Sequence, residues 1–203
     1  MIQRLFDLAA PIWRVMAMVG DLILLNLLLI ASCLPVVTAG AGFTATFDTA
    51  RRLHDRTDSG VARTFWKSLR ANLAGASVIW AFIGPIGIGI VLAWIFVAAD
   101  ELLVWKLLVS IVYLLVFPFV WAMQARFENT PLRTLRNAVV VAIGRLPFAL
   151  GVLVMHVVLL ALAITTWALL PQALFPLLAL GYPLAVYGST PLLERALAPL
   201  LGD

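Results

Sequence analysis

Residues 26–53 read NLLLIASCLPVVTAGAGFTATFDTARRL, an apolar run that meets one proline and two glycines before it turns charged. Proline pushes the residue before it away from helical geometry, so Leu34 and Pro35 mark the end of a helix. Thr38 stands where the N-cap of a second helix belongs. Gly40 and Gly42 then permit a close turn. On the second helix Phe43, Phe47 and Ala50 form an apolar stripe, and Asp48 has Arg51 and Arg52 three and four residues ahead of it, at ion-pairing distance. The stretch reads as an exit from a bilayer at the cytoplasmic surface, followed by a short re-anchoring helix.

Composition agrees with that setting. Of the 203 residues, 64% are hydrophobic and 12% charged, and the mean hydropathy is +1.07. A soluble domain carries about 25% charged and about 45–50% apolar residues, so a chain this small cannot bury so much apolar surface in its own core. Its solvent is lipid. The lone Cys33 excludes an intrachain disulfide and a multi-cysteine metal site. The net charge of +4 points to basic loops on the cytoplasmic side of a membrane rather than to nucleic acid.

A spanning helix needs about 20 mostly apolar residues. Five segments come near this: 15–37, 73–99, 102–123, 146–170 and 173–190. The expected fold is therefore an all-α polytopic membrane bundle in one domain, with short amphipathic helices on the cytoplasmic side. Asp100 and Glu101 make one tight elbow, Pro171 and Gln172 another. The longer connections, 48–70 and 124–145, hold ten of the fourteen Lys and Arg residues, which makes their side cytoplasmic and puts the C-terminus there too. Five spans leave the N-terminus outside, with Leu5, Phe6, Leu8 and Ile12 on an interfacial helix. The alternative is that 38–50 crosses back or re-enters, with the N-terminus inside; at about 1.5 Å per residue those 13 residues reach only about 20 Å.

The segments TFWKSLRAN (64–72) and TPLRTLRNA (130–138) echo one another, and each precedes an expected helical hairpin, as in a parallel repeat. In the first copy Trp66, Leu69 and Leu73 fall on one side and Lys67 and Arg70 on another, a pattern suited to the headgroup layer.

Chemistry-bearing motifs are sparse. G-x-S-x-G, Walker A and H-E-x-x-H are missing from the sequence, no cofactor or metal is implied, and the chain is expected to be non-enzymatic. His54 sits in a charged loop. His156 lies ten residues into the fourth segment, where an ionisable group faces a bundle interior or cavity, or bonds a neighbouring helix. Asp21 and Asn26 are about 140° apart on a helix and do not share a face; Asn26 is the deeper and reads as interhelical glue. GPIGIGI (84–90) marks a kinked or closely packed helix, and such discontinuities line transporter sites. Trp66, Trp80, Trp94 and Trp105 fall near segment ends, as in an interfacial belt. IASC (30–33) has the look of a lipoprotein cleavage box, but Asp21, Asn26 and four further segments argue against it.

The first 80 residues resemble the YesL-like family of bacterial integral membrane proteins, a domain of unassigned function. The shared parts are an asparagine in the first span (Asn26), an L-P-x-x-T-x-G exit (Leu34, Pro35, Thr38, Gly40), and an F-W-K-S-F/L-R-x-N helix (Phe65, Trp66, Lys67, Ser68, Leu69, Arg70, Asn72). The resemblance implies a cytoplasmic-membrane protein of about this size, found beside carbohydrate ABC-transporter components. An accessory or partner subunit of such a transporter is the function it implies, with 44–54 and 64–72 as the contact surface. A small permease is the alternative, resting on Asn26, the break at Pro35 and Gly40, the glycine-rich second segment and His156. The partners expected are the bilayer, transporter components and a second copy of the chain.

Overall fold

The computed structural model describes residues 11–201. Among the described residues there is no strand. Seven α-helices follow one another: α1 (Pro11–Cys33), α2 (Ala39–His54), α3 (Val61–Phe96), α4 (Leu103–Arg126), α5 (Pro131–Gly144), α6 (Leu146–Leu169) and α7 (Leu174–Leu201). The chain is an all-α bundle. Among the described residues four helices are long and apolar enough to cross a membrane: Ile12–Cys33, Val61–Phe96, Asp100–Arg126 and Leu146–Leu169. Less than a third of each apolar stretch is buried in the bundle, and the outward apolar faces that remain call for lipid. Residues 173–190, expected as a fifth span, are the first two thirds of α7, which is interrupted at Gly181. The interfacial helix expected over 1–14 lies mostly outside the described residues; Ile12 and Arg14 belong to α1.

α2 is the hub of the packing. All its residues from Ala39 to Ala50 are buried except the half-buried Phe43. A helix so rich in alanine, glycine and threonine lets neighbours approach from every side. Two of its hydroxyls are satisfied within the helix, Thr44 donating to Gly40 O and Thr46 to Gly42 O, both at 2.9 Å; the buried Thr49 hydroxyl has no partner. The expected single apolar stripe is therefore only part of a helix enclosed almost all round.

The hairpin between α1 and α2 also corrects the expected exit. Gly40 lies against Ala76 and Trp80 of α3, and Gly42 against Leu29 and Ser32 of α1. From there α2 runs toward the basic end of the bundle, where His54 meets Tyr187 and Arg51 lies beside Thr190 and Glu194. α1 arrives from that same end, with Asp21 in electrostatic reach of Asp58. The tip, residues 34–38, thus sits near Trp80 of α3, and its Leu34 faces the same cavity as residues of α3 between 80 and 92. With α3 rising about 1.5 Å per residue, Trp80 is about 24 Å from the Phe96 end. The chain does not leave the bundle at Pro35; it reverses part-way along. Thr38 makes no cap bond to α2. Its hydroxyl donates instead to Ser32 O and Pro35 O, closing the end of α1.

α3 differs from expectation as well. Residues 64–72 do not lie flat before a turn but form the start of one 36-residue helix, about 54 Å long against a hydrocarbon thickness of about 30 Å. Phe65, Ser68, Leu69 and Ala76 face inward, while Trp66 and Leu73 are exposed. Pro85 and Pro118 sit inside α3 and α4 without ending them. The second copy of the echo is not built like the first. Its residues 133–136 open the short α5, which stops before Arg145 and hands over to α6. The two copies do share a buried hydroxyl, Ser68 and Thr134.

The tight core, with Trp121, Phe65, Phe119 and Leu25 fully buried, gathers around α2 toward the basic end. Toward the acidic elbow at Asp100 and Glu101 the apolar residues of α3, α4 and α6 are exposed. The bundle is packed at one end and open at the other.

Candidate functional site

The open half is organised by a broken helix. Pro183 has no N–H, so the carbonyl four residues earlier, Ala179 O, loses its helical donor. Gly181, at φ 53° and ψ −151°, interrupts the ladder at the same place. The Asn26 side chain of α1 fills the gap: its Nδ2 donates to Leu178 O at 2.6 Å and to Ala179 O at 3.1 Å. Only glycine fits at position 181. The backbone is left-handed there, and a Cβ would fall on the Asn26 amide. Asn26, 4% exposed, is the interhelical glue expected of it, aimed at backbone rather than at a side chain.

Next to this junction lies an open cavity of about 990 Å³ lined by residues of α1, α2, α3, α4, α6 and α7. Asn26, Cys33, Trp80, Tyr113, His156 and Tyr182 line it together with aliphatic residues, and among the described residues no Asp, Glu, Lys or Arg does. Its floor is aromatic: Phe43 touches Trp80, Phe117, Trp121 and Tyr182 at centroid separations of 5.2–5.8 Å, in the offset and edge-on geometries that rings prefer. Its rim is formed by exposed Ile30, Leu34, Val91 and Leu178. Gly87 leaves room for the Tyr113 ring, whose hydroxyl donates to Ile83 O at 3.3 Å. His156 Nδ1 is 2.8 Å from Val152 O, and its Nε2 has no partner; the hydroxyl of Tyr182, whose ring centroid is 5.3 Å from that of His156, has none either.

A second, polar pocket of about 480 Å³ opens at the basic end among α2, α3 and α4. A chain of bonds crosses it: Asn72 Nδ2 donates to Ser68 O at 3.0 Å, Gln124 Nε2 to Asn72 Oδ1 at 3.3 Å, and Thr134 Oγ1 to Gln124 Oε1 at 3.3 Å. Asp48, 6% exposed, pairs with Arg51 at 2.9 Å and Arg52 at 3.0 Å, as the spacing predicts. Arg126 pairs with Glu194 and ties α4 to α7.

The expected site residues therefore divide. Asn26 and His156 meet on the apolar cavity. Pro35 and Thr38 shape the hairpin tip beside it, and Gly40 is a packing contact with α3. Asn72 and Lys67 line the polar pocket. Phe65 is core, whereas Trp66 and Arg70 are exposed. Most of the surface expected over 44–54 is buried, and Trp80 belongs to the aromatic floor rather than to an interfacial belt. Sequence reasoning missed Gly181, Tyr182, Tyr113 and Gln124. The Gly-Tyr-Pro of residues 181–183 carried the signal, a glycine and a proline two apart inside an apolar run.

Comparison with known proteins reaches the hairpin half of this architecture. No curated protein and no solved structure matches the chain. A family model described as a protein of unknown function, DUF624, matches residues 22–94. The matched segment holds Asn26, the hairpin tip, all of α2 and most of α3; His156, Gly181 and Tyr182 lie beyond it. Over that part of its length, just over a third, the chain is similar to a family whose function is unassigned.

Proposed function

We propose that the chain is a non-enzymatic integral membrane protein that takes a solute into its own helix bundle, as a small permease does. The observation that carries this reading is the meeting of Asn26, His156 and the interrupted α7 on one cavity. Discontinuous helices near the membrane midplane are where transporters of several folds hold their substrates. The floor of Phe43, Trp80, Phe117 and Trp121, with the Arg126–Glu194 pair beyond it, supplies the closure toward the basic end. That end is cytoplasmic by its excess of Lys and Arg, in a bacterial cytoplasmic membrane, with α1 entering and α7 ending there.

Cys33 tests the reading, because it is the sole cysteine and lines the cavity. In right-side-out and inside-out vesicles a small water-soluble maleimide is expected to label Cys33 from both faces, as the cavity opens to each in turn. Failure to label from either face, with labelling restored after detergent unfolding, would overturn transport through the bundle.

A second reading, from the likeness to YesL-like proteins, makes the chain an accessory subunit of a carbohydrate ABC transporter. Its support is the exposed face of Trp66, Lys67 and Arg70 at the start of α3. Affinity purification from native membranes is expected to recover transporter components, and to lose them in Trp66→Ala/Arg70→Glu. A preparation with no such component above background would remove this reading.

A further inference from the structure

We infer that the solute this cavity takes is a neutral, mainly apolar molecule bearing a single hydroxyl group, held by His156 and Tyr182. The inference rests on the cavity being a solute site and narrows what enters it. None of the lining side chains is charged at neutral pH except by protonation of His156, so a carboxylate, phosphate or ammonium placed there pays its desolvation without a counter-ion. Ile30, Leu34, Val91 and Leu178 form the rim, apolar and 45% or more exposed. A molecule already dissolved in the bilayer crosses such a rim at no cost. The volume, about 990 Å³, is at the upper end of the range of about 300–1,000 Å³ for small-molecule sites.

Polar recognition falls to two atoms. The Asn26 Nδ2 donors are spent on Leu178 O and Ala179 O, its Oδ1 lies against Gly181, and the Tyr113 hydroxyl is spent on Ile83 O. His156 Nε2 and the Tyr182 hydroxyl are buried without a partner, on rings whose centroids are 5.3 Å apart. With Nδ1–H donating to Val152 O at 2.8 Å, the neutral imidazole keeps Nε2 as a bare acceptor. The phenol is free to donate. One ligand hydroxyl answers both, giving its proton to Nε2 and accepting one from Tyr182; a carbonyl answers only the phenol. Neither polar atom is open to the cavity in the resting structure, so binding requires the Tyr182 ring, which follows the left-handed Gly181 of α7, to turn aside.

Photoaffinity binding to the full chain in nanodiscs tests the inference. The probes are a diazirine-bearing long-chain primary alcohol and matched chains ending in methyl, carboxylate or trimethylammonium. The alcohol is expected to label cavity-lining peptides saturably and to bind roughly 10-fold tighter than the methyl-ended chain, the scale of one to two hydrogen bonds. Tyr182→Phe, which removes only the hydroxyl, is expected to weaken the alcohol by about 3- to 10-fold and leave the methyl-ended chain unchanged. His156→Asn keeps a donor near Nδ1 and deletes Nε2, and is expected to act likewise; His156→Gln restores an acceptor and recovers binding. Equal binding of alcohol and methyl-ended chains, or tighter binding of a charged one, overturns the hydroxyl while leaving the cavity as a solute site. Labelling of cavity peptides by none of the probes overturns both.

Discussion

Replacing Asn26 with leucine is expected to destabilise the folded protein by about 2 kcal/mol, since it strands two partly buried carbonyls, Leu178 O and Ala179 O, whose helical donors are lost at the α7 break. Hydrogen bonds between helices in lipid are individually modest, about 0.6 kcal/mol on average and up to about 1.7. Here two of them share one side chain and replace donors that Pro183 and Gly181 have withdrawn. Pro183→Ala returns an N–H to the position that serves Ala179 O, so it should rescue part of the loss in the Asn26→Leu background. In the wild-type background that carbonyl is already met, and the same change should gain little. A double-mutant cycle by thermal or SDS unfolding in detergent is expected to show coupling of about 1 kcal/mol. Additive effects, or an Asn26→Leu cost below about 0.5 kcal/mol, would mean that the clamp is incidental.

The clamp also shows how far the sequence carried. Apolar runs of about 20 residues are set by the thickness of hydrocarbon, so the membrane class, the elbow at Asp100 and Glu101 and the long helices were legible from composition alone. Asn26 was legible as glue because an amide in lipid must find a partner. Its partner was not, because it is backbone 152 residues away, exposed by a glycine and proline whose joint effect appears only when both lie in one helix. His156 was legible by depth, and Tyr182 was hidden because a tyrosine in an apolar run has an interfacial default.

The hairpin was misread for a related reason. Proline and glycine announce that a helix ends, but they do not say at what depth. The reading of an exit leaned on Arg51 and Arg52, which are indeed at the basic end, and carried that location back along α2 to Pro35. The burial of Ala39, Gly40, Ala41 and Gly42 reverses it: small residues in a row are the mark of a helix that others press against, and in lipid such contacts replace the hydrophobic driving force. The cavity follows from the same fact. A hairpin that stops part-way leaves a space at its tip, lined by the end of α1 and Phe43 of α2 together with α3, α4, α6 and α7.

Gly40→Ala is therefore expected to cost about 2–3 kcal/mol, near the upper end for overpacking, even though alanine gains about 1 kcal/mol over glycine in a helix. The added methyl falls on Ala76 O and Trp80 Cβ, both parts of the α3 scaffold that cannot rotate aside. Gly42→Ala meets the Ser32 hydroxyl instead, a group that turns about χ1, and should cost about half as much. Gly89→Ala, in the glycine-rich stretch of α3, has nothing within 4 Å and is expected to stabilise by about 0.5–1 kcal/mol through helix propensity alone. The three glycines look alike in sequence, so the spread between Gly40 and Gly89, about 3 kcal/mol, isolates the packing. Unfolding midpoints measured in one detergent read it directly. If Gly40→Ala matches Gly89→Ala, α2 does not press on α3 at Ala76, and the part-way hairpin is wrong. If the order holds, displacement of α2 from α3 should also open the floor at Phe43 and raise the labelling of Cys33.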